Sequence, residues 1–236
     1  MNRLFHRDAS LQILQNIQKI AVQSVYEQEK HRMVLLDAHQ NELAFFRLPI
    51  TLPPPGQELE EETCGVHYVI LLVQSGSCAM GYFEDGLHLN HKVFRAYMVR
   101  KKQGKSQIKH LKTKGKSRAG SRVRLGETLE FFENINGRLQ EYFKDHQVHR
   151  ICLSVSKILV PYLYDSQVPT PFDKRDARIF KIPKHVHTPI YEVLLNINRF
   201  LQKGELIYEP AQEDLMKELL RGVNGTEEEE DEEFDE

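Results

Sequence analysis

A mixed β-sheet with helices packed on it, an α/β or α+β fold, is predicted by three features of this 236-residue sequence. Apolar runs of strand length follow one another at hairpin spacing over residues 66–100. Turn residues punctuate them at Ser75-Gly76 and Glu84-Asp85-Gly86. From residue 129 to 201, strand-like and helix-periodic segments then alternate. Hairpins first and helix-linked strands afterwards imply a sheet with both antiparallel and crossover pairings.

The elements follow in order. Asp8-Ala-Ser10 offers an N-cap, and Leu11, Ile13, Leu14, Ile17, Ile20 and Ala21 recur at helical spacing, which predicts a helix to about Gln28. Residues 33–37 and 43–50 are predicted strands around the turn-prone Ala38-His-Gln-Asn41. Pro53-Pro54-Pro55-Gly56, followed by Glu58, Glu60, Glu61 and Glu62, has the composition of a linker. Residues 1–60 are therefore expected to form a small helix-plus-hairpin region, and residues 65–205 a separate domain. In that domain the unbroken apolar run Val66–Val73 predicts a buried strand. Cys78–Phe83 and Leu87–Arg100 continue as extended segments. Leu129, Phe132, Ile135, Leu139, Tyr142 and Phe143 mark one face of a helix. Ile151–Val155 and Arg178–Pro183 are predicted strands, with a short helix over Lys157–Tyr164 between them. Thr188-Pro189 places an N-cap before a proline at the first helical position, opening a helix through Leu201.

Charge is distributed very unevenly. The net charge is −2, yet residues 227–236 hold nine acids and no base, which leaves residues 1–226 at +7. The acidic tail, residues 222–236, is expected to be disordered. Residues 100–124 contain eleven Lys or Arg and no Asp or Glu. Such a block repels itself, resists compact folding and suits phosphate. No apolar run reaches the roughly 18–20 residues needed to span a bilayer, and no secretory signal is visible. Three widely spaced cysteines, Cys64, Cys78 and Cys152, fit reduced thiols and a cytoplasmic location.

The chemistry-bearing segment is Arg100-Lys-Lys-Gln-Gly104-Lys105-Ser106-Gln107, at the end of a predicted strand and inside a basic loop of residues 101–120. A glycine lets backbone approach a ligand closely, and lysines neutralise phosphates. Gln107 is neutral and cannot act as a base. Its amide can orient a water, while its backbone N–H can donate to a developing oxyanion. That division suits an ester already activated for attack. Taken alone, the segment reads first as a solvated basic loop in which Gln107 does nothing.

The run Val99-Arg-Lys-Lys-Gln-Gly-Lys-Ser-Gln107, followed by Ser117-Arg-Ala-Gly-Ser-Arg-Val-Arg124, resembles the Vms-like release-factor family. Arg150-Ile-Cys-Leu-Ser-Val155 and Asp176-Ala-Arg178-Ile-Phe-Lys-Ile-Pro183, with Thr188-Pro189 beyond, match the family's later elements in order and spacing. The resemblance covers about residues 65–203. Eukaryotic members of the family are peptidyl-tRNA hydrolases of ribosome-associated quality control. The family is similar to the middle domain of the archaeal and eukaryotic release factor, which carries a mobile Gly-Gly-Gln loop. Lys105 stands where the family usually has a second glycine.

The resemblance implies a peptidyl-tRNA hydrolase acting on stalled ribosomes or large subunits, with rRNA and peptidyl-tRNA as partners and no cofactor. Gln107 would place the attacking water, with Gly104 and Ser106 shaping the turn. Lys101, Lys102, Lys105, Lys109, Lys112, Lys114, Lys116, Arg118, Arg122 and Arg124 would grip RNA backbone, contacts that position without specifying sequence. The alternative is a non-enzymatic ribosome- or tRNA-binding factor with a degenerate loop. Other classes fit poorly. Gly-Lys-Ser occurs at 104–106 and 115–117, but the glycine a P-loop requires is replaced by Val99 and His110. His185 and His187 lack the cysteines or carboxylates of a metal site. No Gly-x-Ser-x-Gly elbow exists for a serine hydrolase.

Overall fold

A computed structural model describes residues 1–20, 22–55, 65–96, 119–223 and 226–227, the stretches 119–125 and 226–227 by backbone alone. The fold is α+β, with two sheets in two compact units: residues 1–66 with 197–236, and residues 67–196. A domain over 65–205 is the sequence expectation; the compact unit runs from His67 to Asn196, and the residues beyond it join the first sixty-six.

The first unit holds β1 (Asn2–Phe5), α1 (Arg7–Lys19), β2 (Gln23–Glu27), β3 (Arg32–Leu36) and β4 (Glu42–Arg47). From the far end of the chain come β10 (Gly204–Tyr208), α5 (Glu213–Leu219) and β11 (Thr226–Glu227). Its sheet is antiparallel, in the order β11-β1-β10-β4-β3-β2. Met33 and Leu35, Ala44 and Phe46, and Leu206 and Tyr208 alternate at period two onto one buried face. Ile13 and Ile17 of α1 and Met216 and Leu219 of α5 cover that face. Gly204 is required where α1 crosses: a Cβ there would stand 2.3 Å from Ser10 Oγ and 2.9 Å from Phe46 Cζ.

The expected helix to Gln28 is shorter than predicted and starts earlier. His6 is the N-cap, and Ser10 sits inside the helix with its hydroxyl donating to the His6 carbonyl at 2.9 Å. Beyond Lys19, Gln23–Glu27 pairs with β3 as a strand, where Val25 and Tyr26 favour extended backbone. The turn at 38–41 forms as predicted, held by Asp37 Oδ1 accepting from the His39 and Asn41 backbone N–H groups. Leu48, Ile50 and Leu52 follow β4 outside any strand and are buried.

One polar contact joins the middle of this sheet. Arg47 and Glu205 are register partners, with Nε donating to the carboxylate at 2.9 Å and both side chains under a tenth exposed. The guanidinium also lies 4.1 Å from the centre of the Phe200 ring, and Asn2 donates to the second Glu205 oxygen at 3.0 Å.

The second unit contains β5 (His67–Gln74), β6 (Ser77–Glu84), β7 (Leu87–Arg95), α2 (Ala119–Asp145), β8 (Arg150–Val155), α3 (Val160–Tyr164) and β9 (Ile179–Lys181). The helix α4 (Tyr191–Leu201) begins in it. The sheet order is β7-β6-β5-β8-β9: β5 to β7 form an antiparallel meander, and β8 and β9 run parallel to β5. This is the mixed sheet predicted from the sequence. Asp85 and Gly86 both have positive φ in the β6–β7 turn, as a tight two-residue hairpin requires.

Residues 68–73 and 78–83 are buried on both faces of the sheet. Val69, Leu71, Val73, Met80 and Tyr82 pack with Phe131, Phe132, Ile135, Leu139 and Tyr142 of α2. On the other face, a Cβ at Gly81 would meet Leu194 of α4 at 3.0 Å. Helices thus cover both sides. The first turn of α4 closes from the Leu194 N–H to the Ile190 carbonyl, so the helix starts two residues beyond the predicted Pro189. Pro189 is instead a tether, its carbonyl accepting from Ser77 Oγ at 2.9 Å. No helix among the described residues is long and apolar enough to cross a membrane.

Candidate functional site

Gly104, Ser106 and Gln107 lie outside the described residues, as do Lys101, Lys102, Lys105, Lys109, Lys112, Lys114, Lys116 and Arg118. Arg122 and Arg124 fall in the first two turns of α2, known there by backbone. What the structure fixes is where this segment leaves and re-enters the fold. It leaves at the end of β7, where the Ala96 N–H donates to the Gly76 carbonyl at 3.0 Å, and it returns at the start of α2.

That departure point belongs to one end of the sheet, built from the C-terminal ends of β5, β7, β8 and β9. The Ser156 N–H reaches the Val73 carbonyl at 3.3 Å, and the Ile182 N–H reaches the Leu153 carbonyl at 3.0 Å. Gln74 donates its side-chain amide to the Val186 carbonyl at 2.8 Å. Residues 182–189 therefore run along the strand ends, tethered by Gln74 and Ser77. Val186 is buried, and His185 and His187 on either side of it are exposed with their rings 4.4 Å apart. The alternation places both imidazoles at the same end of the sheet as the loop stems. The sequence offered the histidine spacing but not this tether.

Helix α2 is the second support. At about 1.5 Å per residue, its 27 residues span roughly 40 Å, against about 26 Å for an eight-residue strand. It ends at Asp145, five residues before β8 opens at the far end of the sheet, so it runs back from the loop toward that end. Asn136, fully buried in α2, donates to the Leu163 and Val168 carbonyls at 2.8 Å each and fixes the segment following β8. Asp176 receives both Nε and Nη2 of Arg178, which also donates to the Val148 carbonyl, so this pair anchors the start of β9 to β8. The Arg178 guanidinium holds the Asp176 carboxyl below its ordinary value.

The buried thiols and the histidines at the far end of the sheet belong to the packing of this unit. Cys78 and Cys152 are completely buried thiols, and burial pushes the Cys78 thiol up, so it is no nucleophile. At the opposite end of the sheet, the Tyr82 hydroxyl meets His67 Nδ1, and the His146 ring stacks on Tyr82 at 4.0 Å. There the His67 backbone N–H donates to His149 Nδ1 at 3.0 Å, which requires that nitrogen to be unprotonated. Burial, then the nearby His67 and Arg150, holds His149 below the ordinary histidine range; burial and His91 do the same for His88. The unfolded chain therefore binds these protons first as pH falls. Stability is fully present above about pH 6.5 and declines as pH drops below it toward the folded-state values. Thermal melts at pH 7.5 and 5.5 are expected to show the lower Tm at pH 5.5, with a smaller difference in His149→Gln.

The sequence model of the Bacteroidetes VLRF1 release factor matches residues 68–209, more than half of the chain. The chain belongs to this release-factor family. The match begins in β5 and extends just past β10, so it takes in the whole meander, both stems of the basic loop and the tethered 182–189 segment. Among solved structures, the chain is similar to the Vms1 mitochondrial localization core at 12% identity and a TM-score of 0.38, over 85% of this chain and 82% of that one. No curated protein matches.

Proposed function

We propose that this VLRF1-family chain is a cytoplasmic peptidyl-tRNA hydrolase that releases nascent chains from stalled ribosomes or large subunits. The observation that carries the reading is the placement of Gly104-Lys-Ser-Gln107 between β7 and α2, within the stretch matched to a release factor. Gln107 presents its side-chain amide to a water beside the ester that joins the nascent chain to the terminal adenosine. The water oxygen attacks the carbonyl carbon, the bond to the tRNA oxygen breaks, and a proton passes to the leaving hydroxyl. Gln107 takes no proton itself; it supplies position, and the ribosome and tRNA supply the rest of the polar environment. Gly104 and Ser106 shape the turn. Lys105 adds a cation that meets rRNA or tRNA phosphate.

Lys109, Lys112 and Lys114 neutralise RNA phosphates in this reading, each releasing counterions on binding. Replacing all three with alanine is expected to flatten the dependence of log affinity on log salt by about three, one for each phosphate no longer neutralised. Titration of purified large subunits with labelled protein across a salt series measures the slope directly. An unchanged slope removes these lysines from the interface.

A second reading has one feature in its favour. Lys105 replaces a glycine in the loop, and a side chain there narrows the backbone choices around Gln107. A factor that binds ribosomes or tRNA without hydrolysis tolerates that loss. Release from subunits loaded with labelled peptidyl-tRNA separates the two, because the binding factor yields occupancy without free peptide.

A further inference from the structure

We propose that the end of the 67–196 unit from which the basic loop departs is itself a contact surface for the phosphodiester backbone of a folded RNA. Arg95, Lys157 and Lys184 meet phosphates there, and His185 and His187 lie beside them. The inference rests on the reading that this chain works on ribosomes, and it adds a second point of attachment outside the loop.

Four described segments make up this end: residues 73–78, 93–96, 153–160 and 181–190. Together they carry Arg95, Lys157, Lys181, Lys184, His185 and His187, and not one Asp or Glu. The opposite end of the same sheet is mixed, with Glu84, Asp85, Asp145, Asp173 and Asp176 among Arg150, Lys174, Arg175 and Arg178. The acid nearest in sequence to any of the four is Glu192, exposed in the first turn of α4. Exposure agrees with a docking role: Arg95, Lys157, His185 and His187 are exposed and Lys184 is partly so.

The surface is also built rather than merely charged. Arg95 closes β7, beside the Ala96-to-Gly76 hydrogen bond, and Lys157 follows the Ser156-to-Val73 bond. Lys184, His185 and His187 ride on the segment held by Gln74 and Ser77, with Val186 buried beneath the two imidazoles. From β7 to β9 is four strand spacings, roughly 19 Å. The backbone under these cations is fixed before binding, so ordering costs less than for side chains on a free loop. Contacts of this kind position a protein on RNA without reading sequence.

The test uses the full chain with the loop unaltered and purified large ribosomal subunits as the probe. Arg95→Ala/Lys157→Ala/Lys184→Ala is expected to weaken subunit binding at least tenfold and to lower the salt slope by about three. The release rate at saturating protein stays within about twofold, the cost being in binding rather than in a step after it. His185→Ala/His187→Ala weakens binding with less change in slope. The charge-keeping Arg95→Lys/Lys157→Arg/Lys184→Arg binds like wild type, which separates lost charge from a damaged fold. Wild-type affinity and slope in the alanine triple, while the loop lysine variant is weakened, would overturn the surface and leave the hydrolase reading standing. No release by wild type, with binding still weakened in the triple, would sink the hydrolase reading and leave the surface intact.

Discussion

Gln107→Ala is expected to slow release of peptide from subunit-bound peptidyl-tRNA by about 10²–10³-fold, the usual cost of removing one group aimed at the developing charge or the attacking water. Affinity for the subunit should change little, because the cations that hold RNA are untouched. The split matters more than the size. A residue acting only in the transition state lowers kcat and leaves the half-saturating concentration alone. Gln107→Glu separates two roles of the side chain: a carboxylate can still accept from water but brings a charge beside phosphate and loses the amide donor. It should therefore remain slow, and full activity in Gln107→Glu would point to a base in place of a positioning amide. Single-turnover release with excess factor, in parallel with equilibrium binding, gives both quantities.

Glu205→Ala should destabilise the unit formed by residues 1–66 and 197–236 by about 3–5 kcal/mol, because it leaves the Arg47 charge buried without its carboxylate. Arg47 and Glu205 face each other across β4 and β10, both under a tenth exposed, and Asn2 of β1 shares the carboxylate. At roughly 2–4 °C per kcal/mol for a chain of this size, the loss is a fall in Tm of about 6–20 °C. Arg47→Met/Glu205→Leu should recover most of it, since replacing both charges with apolar groups of similar volume removes the desolvation cost as well as the attraction. A double variant as unstable as Glu205→Ala would mean that the pair is favourable in its own right.

The part of the fold legible in the sequence is the part held by local pattern. β5, β6 and β7 are apolar runs separated by turn residues, and each pairs with its neighbour in sequence. α2 carries its apolar face at helical spacing over four turns. The first unit is far less legible for a physical reason. Its sheet is completed by β10, five residues whose partners Asn2–Phe5 and Ala44–Arg47 lie more than 150 positions away. Asn2–Phe5 is too short to register as a strand until that partner is known. The start of α1 is obscured because Asp8 and Ser10 look like caps, while the chain opens the helix at His6 and turns the Ser10 hydroxyl back on the preceding turn. At the candidate site the motif and its place after β7 are legible. The cationic end of the sheet is not, because it joins four segments that only the strand order brings together.

The central claim, that this chain brings water to the ester of peptidyl-tRNA, is tested most directly by the fate of the water's oxygen. Large subunits carrying a defined peptidyl-tRNA are treated with the protein in oxygen-18 water, and the freed peptide is weighed by mass spectrometry. The account predicts free peptide bearing a single heavy oxygen in its new carboxylate, intact deacylated tRNA, and neither product with Gln107→Ala. Peptide that stays joined to a tRNA fragment, or peptide freed without the label, would contradict it.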